Sequence, residues 1–324
     1  MSQTSVHCPA GKLLTLAFTA LMVAGCNSES PPQSADAPLK VVATTGMVAD
    51  LVRAVGGPRV TVTALMGPGV DPHLYKPTRN DMQLLMDADL VFYNGLHLEG
   101  RMTETLEQLH KPGKPVVAVS DGLDSERLRH PPESPDVHDP HVWMDVSLWS
   151  QGIGPVVKAL AGRAPAFAAE FQERGEAYQQ ELTALDGRVR QIIAGIPESQ
   201  RLLVTSHDAF GYFGRAYELE VHSVLGVTTD SEAAVSDINQ LVDLVVRRKL
   251  PAVFIESSVN QKSLQALVEG AASRGMQVRL AGPLYSDALG PADGPAGSYA
   301  GMIETNARMM AAALSLDATA AREE

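Results

Sequence analysis

The sequence predicts an α/β fold of two lobes, each a mostly parallel four-stranded sheet flanked by helices, joined by one long backbone helix. Three observations support this prediction. Short β-branched runs alternate with helical patterns in both halves of the chain, which is typical of parallel sheets. A long amphipathic helical pattern separates the two halves. The 324 residues also suit two lobes.

The strands are predicted from β-branched and apolar runs bounded by turn residues. Those of the first half lie near residues 40–44, 60–65, 90–93 and 116–119. Those of the second half lie near residues 202–205, 221–225, 252–255 and 278–280. Helices are predicted between them, including 47–55, 80–87, 235–249 and 261–274.

The long helix is predicted from apolar residues at steps of three, four and seven, the period of one buried face. They are Phe167, Phe171, Tyr178, Leu182, Leu185, Val189 and Ile192. Roughly 27 residues would form a rod of about 40 Å that can cross both lobes. The alternative is a helix that belongs to one lobe alone. The predicted boundaries are a signal peptide 1–25, a flexible lipoprotein tether 26–38, an N-terminal lobe 39–146, linking helices 147–195 and a C-terminal lobe 196–318.

The N-terminus has the profile of a bacterial signal peptide. Lys12 is the only charged residue before the mostly apolar run 13–23, which is too short to span a membrane. The run leads into Val-Ala-Gly-Cys26, which resembles a lipobox and predicts cleavage and acylation at Cys26. Cys8 would leave with the signal, so no intramolecular disulfide can form. The alternative is a buried cysteine, but the Ser/Pro/Gln-rich stretch that follows is typical of a tether.

The composition narrows the classes of partner. A net charge of −12 argues against nucleic acid and is mildly attractive to cations, although solubility alone would explain it. No phosphate-binding glycine loop is present, and Gly56–Gly57 is interpreted as a turn. We therefore expect neither a nucleic-acid partner nor an organic cofactor.

Four residues that can ligate a metal follow predicted strands: His73, His141, His207 and Asp287. Ligands of open α/β sheets bind beyond the carboxyl ends of the strands, and a cleft between two facing lobes would bring these side chains together. Three imidazoles and one carboxylate suit a divalent ion such as Zn²⁺ or Mn²⁺. The sequence thus predicts a metal site with two ligands from each lobe.

Each candidate has a competing interpretation, because a lone histidine is usually structural or exposed. His130 and His138 lie close to His141 in an acidic, proline-containing loop, and His138 is its alternative. Asp287 stands in a Pro/Gly-rich stretch, where aspartate also serves as a turn residue. Glu256 ends a predicted strand, and we interpret it as an acceptor that orients a ligand imidazole rather than as a loop or helix-end contact.

Together these contexts resemble the zinc/manganese-type substrate-binding lipoproteins of bacterial ABC importers, over residues 40–313. The motifs that carry the resemblance occur in the family's order: Asp-Pro-His73, Pro-His141-Val-Trp, His207-Asp-Ala-Phe-Gly-Tyr-Phe, Phe-Ile-Glu256 and Ser-Asp287. The tail from Tyr299 to Asn306 is similar to the family's closing helix.

The resemblance implies extracytoplasmic, high-affinity binding of a transition metal as transported ligand. His73 and His141 would come from the first lobe, and His207 and Asp287 from the second. It also implies delivery to an importer made of a membrane permease and a cytoplasmic ATPase. The protein would be a monomer anchored in the membrane through a lipid on Cys26, at the periplasm or cell surface.

Two departures from the family's patterns bear on the choice of metal. Many zinc-specific members carry a long histidine-rich loop, which is reduced here to residues 130–139 with two histidines. Many manganese-specific members have Glu where His207 stands. Three nitrogens favour zinc over manganese, and a bidentate Asp287 would still admit manganese. We expect zinc first and manganese next, with iron left open.

An exported metal-dependent hydrolase and a surface adhesin are the alternative functions. Catalytic zinc keeps an open position for water beside three protein ligands and a general base. Here four protein ligands close the site, and the sequence has no His-Glu-x-x-His helix. An adhesin needs a binding face that the sequence does not identify. We therefore expect no enzymatic activity.

Overall fold

The computed structural model describes residues 2–5, 7, 37–110, 114–131 and 135–315. The described residues from 38 to 315 belong to one compact unit. The predicted lipid-bearing Cys26, its lipobox and most of the predicted signal peptide and tether lie outside the described residues. Among the residues that are described, no helix has both the length and the apolar character that crossing a membrane requires.

The first lobe contains a parallel sheet in the order β2–β1–β3–β4. Its strands are β1 (Leu39–Ala43), β2 (Val60–Ala64), β3 (Leu90–Tyr93) and β4 (Val116–Ala118). Its helices are α1 (Gly46–Gly56), α2 (Arg79–Asp87) and α3 (Thr103–His110). The α2 helix begins at a reciprocal cap, in which Thr78 and Asp81 bond each other's backbone amides. That cap ends the loop after β2, which carries His73.

The second lobe repeats this arrangement with the sheet order β6–β5–β7–β8, again parallel. Its strands are β5 (Leu202–Thr205), β6 (Glu220–Ser223), β7 (Ala252–Glu256) and β8 (Arg279–Leu284). Its helices, numbered after three that link the lobes, are α7 (Gly211–Tyr217), α8 (Val235–Arg248), α9 (Lys262–Ser273) and α10 (Tyr299–Leu314). The predicted fold class is confirmed. Strand β8 extends beyond residue 280, where the predicted strand ended. Gly282 and Pro283 lie within it, although a Gly-Pro pair usually marks a turn.

The linking helices are α4 (Val146–Trp149), α5 (Ile153–Arg163) and the 27-residue α6 (Ala168–Ala194). Helix α6 packs against α1 and α5 of the first half and against α7 and α10 of the second. The alternative of a helix confined to one lobe is therefore wrong. The predicted apolar face is buried from Phe171 to Val189, and Ile193 rather than Ile192 completes it.

One hydrophobic core runs through both lobes, with side chains from both sheets and from α6. Trp143, Trp149 and Tyr299 are fully buried in it, and burying a large apolar side chain contributes roughly 1.5–3 kcal/mol. Two hydrogen bonds reinforce the junction. Trp143 Nε1 donates to Ser286 O at 2.8 Å, and Tyr299 Oη donates to Trp143 O at 2.7 Å. The lobes are thus joined by packed core as well as by α6.

Candidate metal centre

The four predicted ligands converge at the lobe interface. His73 lies in the loop after β2, His141 precedes α4, His207 follows β5 and Asp287 follows β8. One ligand atom from each lies within 4.8 Å of the corresponding atoms of the other three. His141 and His207 are fully buried, Asp287 is 1% exposed and His73 is 7% exposed. His73 therefore lies nearest to solvent.

Four of the distances between these side chains are close to those of a tetrahedral metal site. His141 Nε2 lies 3.3 Å from both His73 Nε2 and His207 Nε2. Asp287 Oδ1 lies 3.4 Å from His141 Nε2, and its Oδ2 lies 3.3 Å from His207 Nε2. Four ligands placed tetrahedrally about zinc, at bond lengths of about 2.0–2.1 Å, would be about 3.3 Å apart. Because both oxygens of Asp287 face the imidazoles, this residue can supply one or two ligand atoms.

Two of the imidazoles are oriented by carboxylates. His141 Nδ1 donates to Asp139 Oδ1 at 2.8 Å, and His207 Nδ1 donates to Glu256 Oε2 at 2.5 Å. Glu256 Oε1 also accepts the backbone amides of Ser206 and His207. When the ring is neutral, each bond keeps its proton on Nδ1, so that the Nε2 lone pair points into the cluster as metal-binding histidines require. The predicted place of Glu256 beside a candidate ligand agrees with this geometry.

Sequence reasoning missed Asp139, although a signal for it was present. The tripeptide Asp-Pro-His occurs twice, at residues 71–73 and 139–141. In both copies the aspartate Oδ1 accepts the histidine backbone amide two residues later, at 2.9 Å for His73 and 3.0 Å for His141. The repeated tripeptide is therefore the sequence signal that could have identified Asp139.

The electrostatics divide the histidines into two kinds. Burial alone would lower the pKa of His141, but the carboxylates of Asp139 and Asp287 outweigh it and raise that pKa to about 9. Burial opposes the charge on His207 as well, yet Asp287 and Glu256 raise its pKa well above the usual value. For His73 burial dominates and lowers the pKa to about 3. The carboxylates therefore hold protons on two of the three imidazoles.

Asp287 carries the complementary charge. Burial acts to raise its pKa, but His207 and His141 hold that pKa well below its usual range. Its Oδ2 accepts Ser258 Oγ at 3.1 Å, whereas Oδ1 is buried and has no hydrogen-bond partner in the part of the chain that the structure describes. A buried acceptor without a partner is costly, and a cation among the four ligand atoms would satisfy it. The cluster thus suits a divalent metal in both shape and charge.

The competing histidines lie elsewhere. The rings of His130 and His138 pack on each other with centroids 4.4 Å apart. Among the described residues, the only group of three or more potential ligands close enough to share one metal ion is the set of four. The structure therefore brings His141 into the cluster and leaves His138 outside it.

Comparison with known proteins establishes the family. A two-lobed fold with a buried cluster of three histidines and one aspartate defines a class of proteins that can hold a metal between their lobes. The family model described as "Zinc-uptake complex component A periplasmic" (ZnuA) matches residues 41–313. The chain belongs to this family, and the resemblance found in the sequence is confirmed.

Relatives named for different metals match nearly the whole chain. It is 45% identical over 286 residues to the zinc-binding protein TroA of Treponema pallidum (strain Nichols), covering 88% of this chain and 92% of TroA. It is 41% identical over 304 residues to the manganese-binding lipoprotein MntA of Bacillus subtilis (strain 168), covering 94% and 99%. The solved structure of the T. pallidum periplasmic zinc-binding protein TroA matches with a TM-score of 0.83 and 44% identity, over 86% of this chain and 100% of that one.

Proposed function

We propose that this protein binds a divalent transition metal outside the cytoplasm and delivers it to an ABC importer. The ligands are His73, His141, His207 and Asp287. The observation that carries the proposal is the convergence of these four buried side chains, whose ligand atoms lie within 4.8 Å of one another, with four separations of 3.3–3.4 Å that are close to the edge of a tetrahedral zinc site. Glu256 and Asp139 orient two of the imidazoles.

Zinc is the first choice of metal and manganese the second. Three imidazole nitrogens favour zinc by ligand type and by the order of divalent affinities. The two oxygens of Asp287 can also satisfy a metal that takes five ligand atoms. Relatives named for zinc and for manganese are about equally similar to this chain, so sequence similarity does not decide between the two metals.

The direct test is titration of the metal-free protein with Zn²⁺ and Mn²⁺ under chelator competition, together with native mass spectrometry of the protein as purified. One tightly held ion per chain, with zinc bound more tightly than manganese, is expected. A stoichiometry of zero would reject the site, and tighter binding of manganese would reject the order of preference.

A role in transport rather than catalysis is supported by the enclosure of the cluster. All four side chains are at least nine-tenths buried, and four ligands complete a tetrahedron without a position for water. The hydrolase alternative predicts metal-dependent turnover of esters or peptides, and such turnover would decide for it. The adhesin alternative predicts binding to a host surface that does not require the importer.

The remaining parts of the proposal concern the ends and partners of the chain. Cleavage before Cys26 and lipid attachment there would tether a monomer, with lobes at 39–146 and 196–318, beside a permease and its ATPase. The family's periplasmic description and the lipobox-like sequence support this arrangement. Mass spectrometry of the mature N-terminus, and co-purification with the permease, would test it. An unmodified N-terminus would reject the anchor.

A further inference from the structure

We infer that Arg129 is a positioning residue: it holds Asp139, and through Asp139 the His141 ring, in place for metal binding while its guanidinium packs over Gly211 of the second lobe. The inference rests on the proposed metal-binding function and extends it to residues that do not touch the metal. It starts from a close contact between the lobes that involves none of the four metal ligands. The guanidinium of Arg129, from the first lobe, lies directly over Gly211 at the start of α7 in the second.

The guanidinium acts on His141 through one carboxylate. Arg129 Nη1 donates to Asp139 Oδ2 at 2.5 Å, and Asp139 is fully buried. The other oxygen of Asp139 accepts both the backbone amide and the ring Nδ1 of His141. Arg129 therefore fixes the carboxylate that fixes the imidazole. Charge-assisted bonds of this kind are stronger than neutral ones and hold their partners in a defined geometry.

The same arginine is docked on the second lobe. Its backbone amide donates to Tyr212 Oη, and Tyr212 Oη donates to Asp139 O, both at 2.9 Å. Its guanidinium lies 5.6 Å from the centre of the Tyr212 ring, and Nη2 lies 3.9 Å from Asp208 Oδ2. Asp208, Gly211 and Tyr212 belong to the segment that follows His207. Arg129 thus connects the surroundings of one ligand from each lobe.

Gly211 is the position that makes this contact possible. A Cβ atom built there would overlap the terminal atoms of the Arg129 guanidinium and would meet them before any other group. The backbone of Gly211 is not in the left-handed region, so the nearest obstacle to an alanine here is the Arg129 guanidinium rather than backbone strain. Since the end of an arginine side chain can swing away, Gly211→Ala should displace Arg129 while leaving the helix in place.

The experiment measures Zn²⁺ affinity by chelator competition in wild type, Gly211→Ala, Arg129→Ala and the double variant. We expect Gly211→Ala and Arg129→Ala each to weaken zinc binding about ten-fold, the lower end of the range for partners outside the ligand set. In the Arg129→Ala background, Gly211→Ala should have no further effect, because the group that it displaces is already gone. The ¹H resonance of His141 Nδ1 in the zinc-loaded protein should shift in all three variants.

Two matched controls should change neither affinity nor the His141 resonance. In Gly154→Ala the new Cβ meets nothing within 4 Å. In Arg190→Ala an arginine is lost that lies over the Tyr217 ring and pairs with Asp186. The inference is overturned if Arg129→Ala binds zinc within two-fold of wild type, or if Gly211→Ala weakens binding equally in both backgrounds. Failure of wild type to bind zinc would instead reject the proposed function.

Discussion

The two Asp-Pro-His segments of this protein begin alike and end differently. In each, the aspartate accepts the backbone amide of the histidine two residues later. The second oxygen of Asp139 pairs with Arg129, and its first also holds the His141 ring. Asp71 instead uses its second oxygen to accept Thr229 Oγ1 of the second lobe at 2.5 Å. The tripeptide therefore encodes the turn, whereas the tertiary surroundings decide whether the imidazole is held.

This difference separates the two imidazoles that are hydrogen-bonded to carboxylates from the one that is not. His141 and His207 have rings anchored by carboxylates, are fully buried and have raised pKa values. Within the described residues His73 Nδ1 has no carboxylate partner, and its pKa is lowered to about 3 by burial. We expect the two anchored imidazoles to form a preorganised half-site, which His73 completes when the metal arrives.

The largest effects should come from removing ligands. His141→Ala and His207→Ala should each lower zinc affinity by more than 100-fold, beyond the range for partners outside the ligand set. His73→Ala should lower it at least ten-fold but less than either, because both imidazoles that are anchored by carboxylates remain. Chelator competition measures all three, with His138→Ala as the control expected to match wild type. If His138→Ala abolishes binding while His141→Ala does not, the assignment of the second ligand is wrong.

A smaller effect separates the two aspartates directly. Asp139→Asn should weaken zinc binding about ten-fold, since it removes the charge that orients His141. Asp71→Asn, the matched change, should stay within about three-fold of wild type, because asparagine can still accept the His73 amide and does not touch a ring. Equal losses at the two positions would show that the ring bond of Asp139 contributes nothing beyond the turn.

The pH dependence of zinc affinity should reflect the same difference between His73 and the two anchored histidines. His141, with a pKa raised to about 9, and His207, also raised, carry protons in the metal-free protein at pH 7, whereas His73 does not. Metal binding must expel about two protons there, so affinity should rise about 100-fold per pH unit near neutrality and continue rising toward pH 9. Unperturbed histidines, with pKa values near 6.5, would give a profile already flat above pH 7.

The stability of the metal-free fold should change with pH in the opposite direction to zinc affinity. Groups whose pKa is raised on folding stabilise the protein below their unfolded pKa, and that stability is lost as pH rises through the folded value. The metal-free protein should therefore lose stability between about pH 6.5 and pH 9 while zinc affinity increases.

The number of protons released on zinc binding can be measured directly. Calorimetric titration of the metal-free protein with zinc, in buffers of different ionisation enthalpy, gives this number. A count of zero at pH 7 would contradict the assignment of raised pKa values.

Half of the ligand set could be predicted because it lies just beyond the ends of strands. His207 lies two residues after β5 and Asp287 three residues after β8, where parallel sheets place ligands. The bond from the His141 ring to Asp139 could not be predicted, because Asp139 is also bonded by Arg129 and by a tyrosine 73 residues away in the chain, which only the fold brings together. The end of the apolar face at Ile193 was missed for a local reason, since Ile192 and Ile193 both fit helical spacing.

The smallest expected change is in overall shape. Binding proteins whose lobes are joined by flexible strands close by large rotations, but here α6 packs on both lobes and one core runs between them. The bond from Trp143 Nε1 to Ser286 O also ties the segment after His141 to the residue before Asp287. Opening the lobes would break this junction. We therefore expect metal entry to require movement of loops, above all of the loop that carries His73, rather than rotation of the lobes.

Small-angle scattering of metal-free and zinc-loaded protein should therefore give nearly equal radii of gyration. Hydrogen exchange should slow on zinc binding most in the loop that carries His73 and less around His141, whose ring is already anchored. The melting temperature should rise as free zinc exceeds the dissociation constant, since only the folded state offers the complete site. A large compaction on binding would contradict the rigid junction. Equal protection of the two loops would mean that His141 is no more preorganised than His73, despite the carboxylate on its ring.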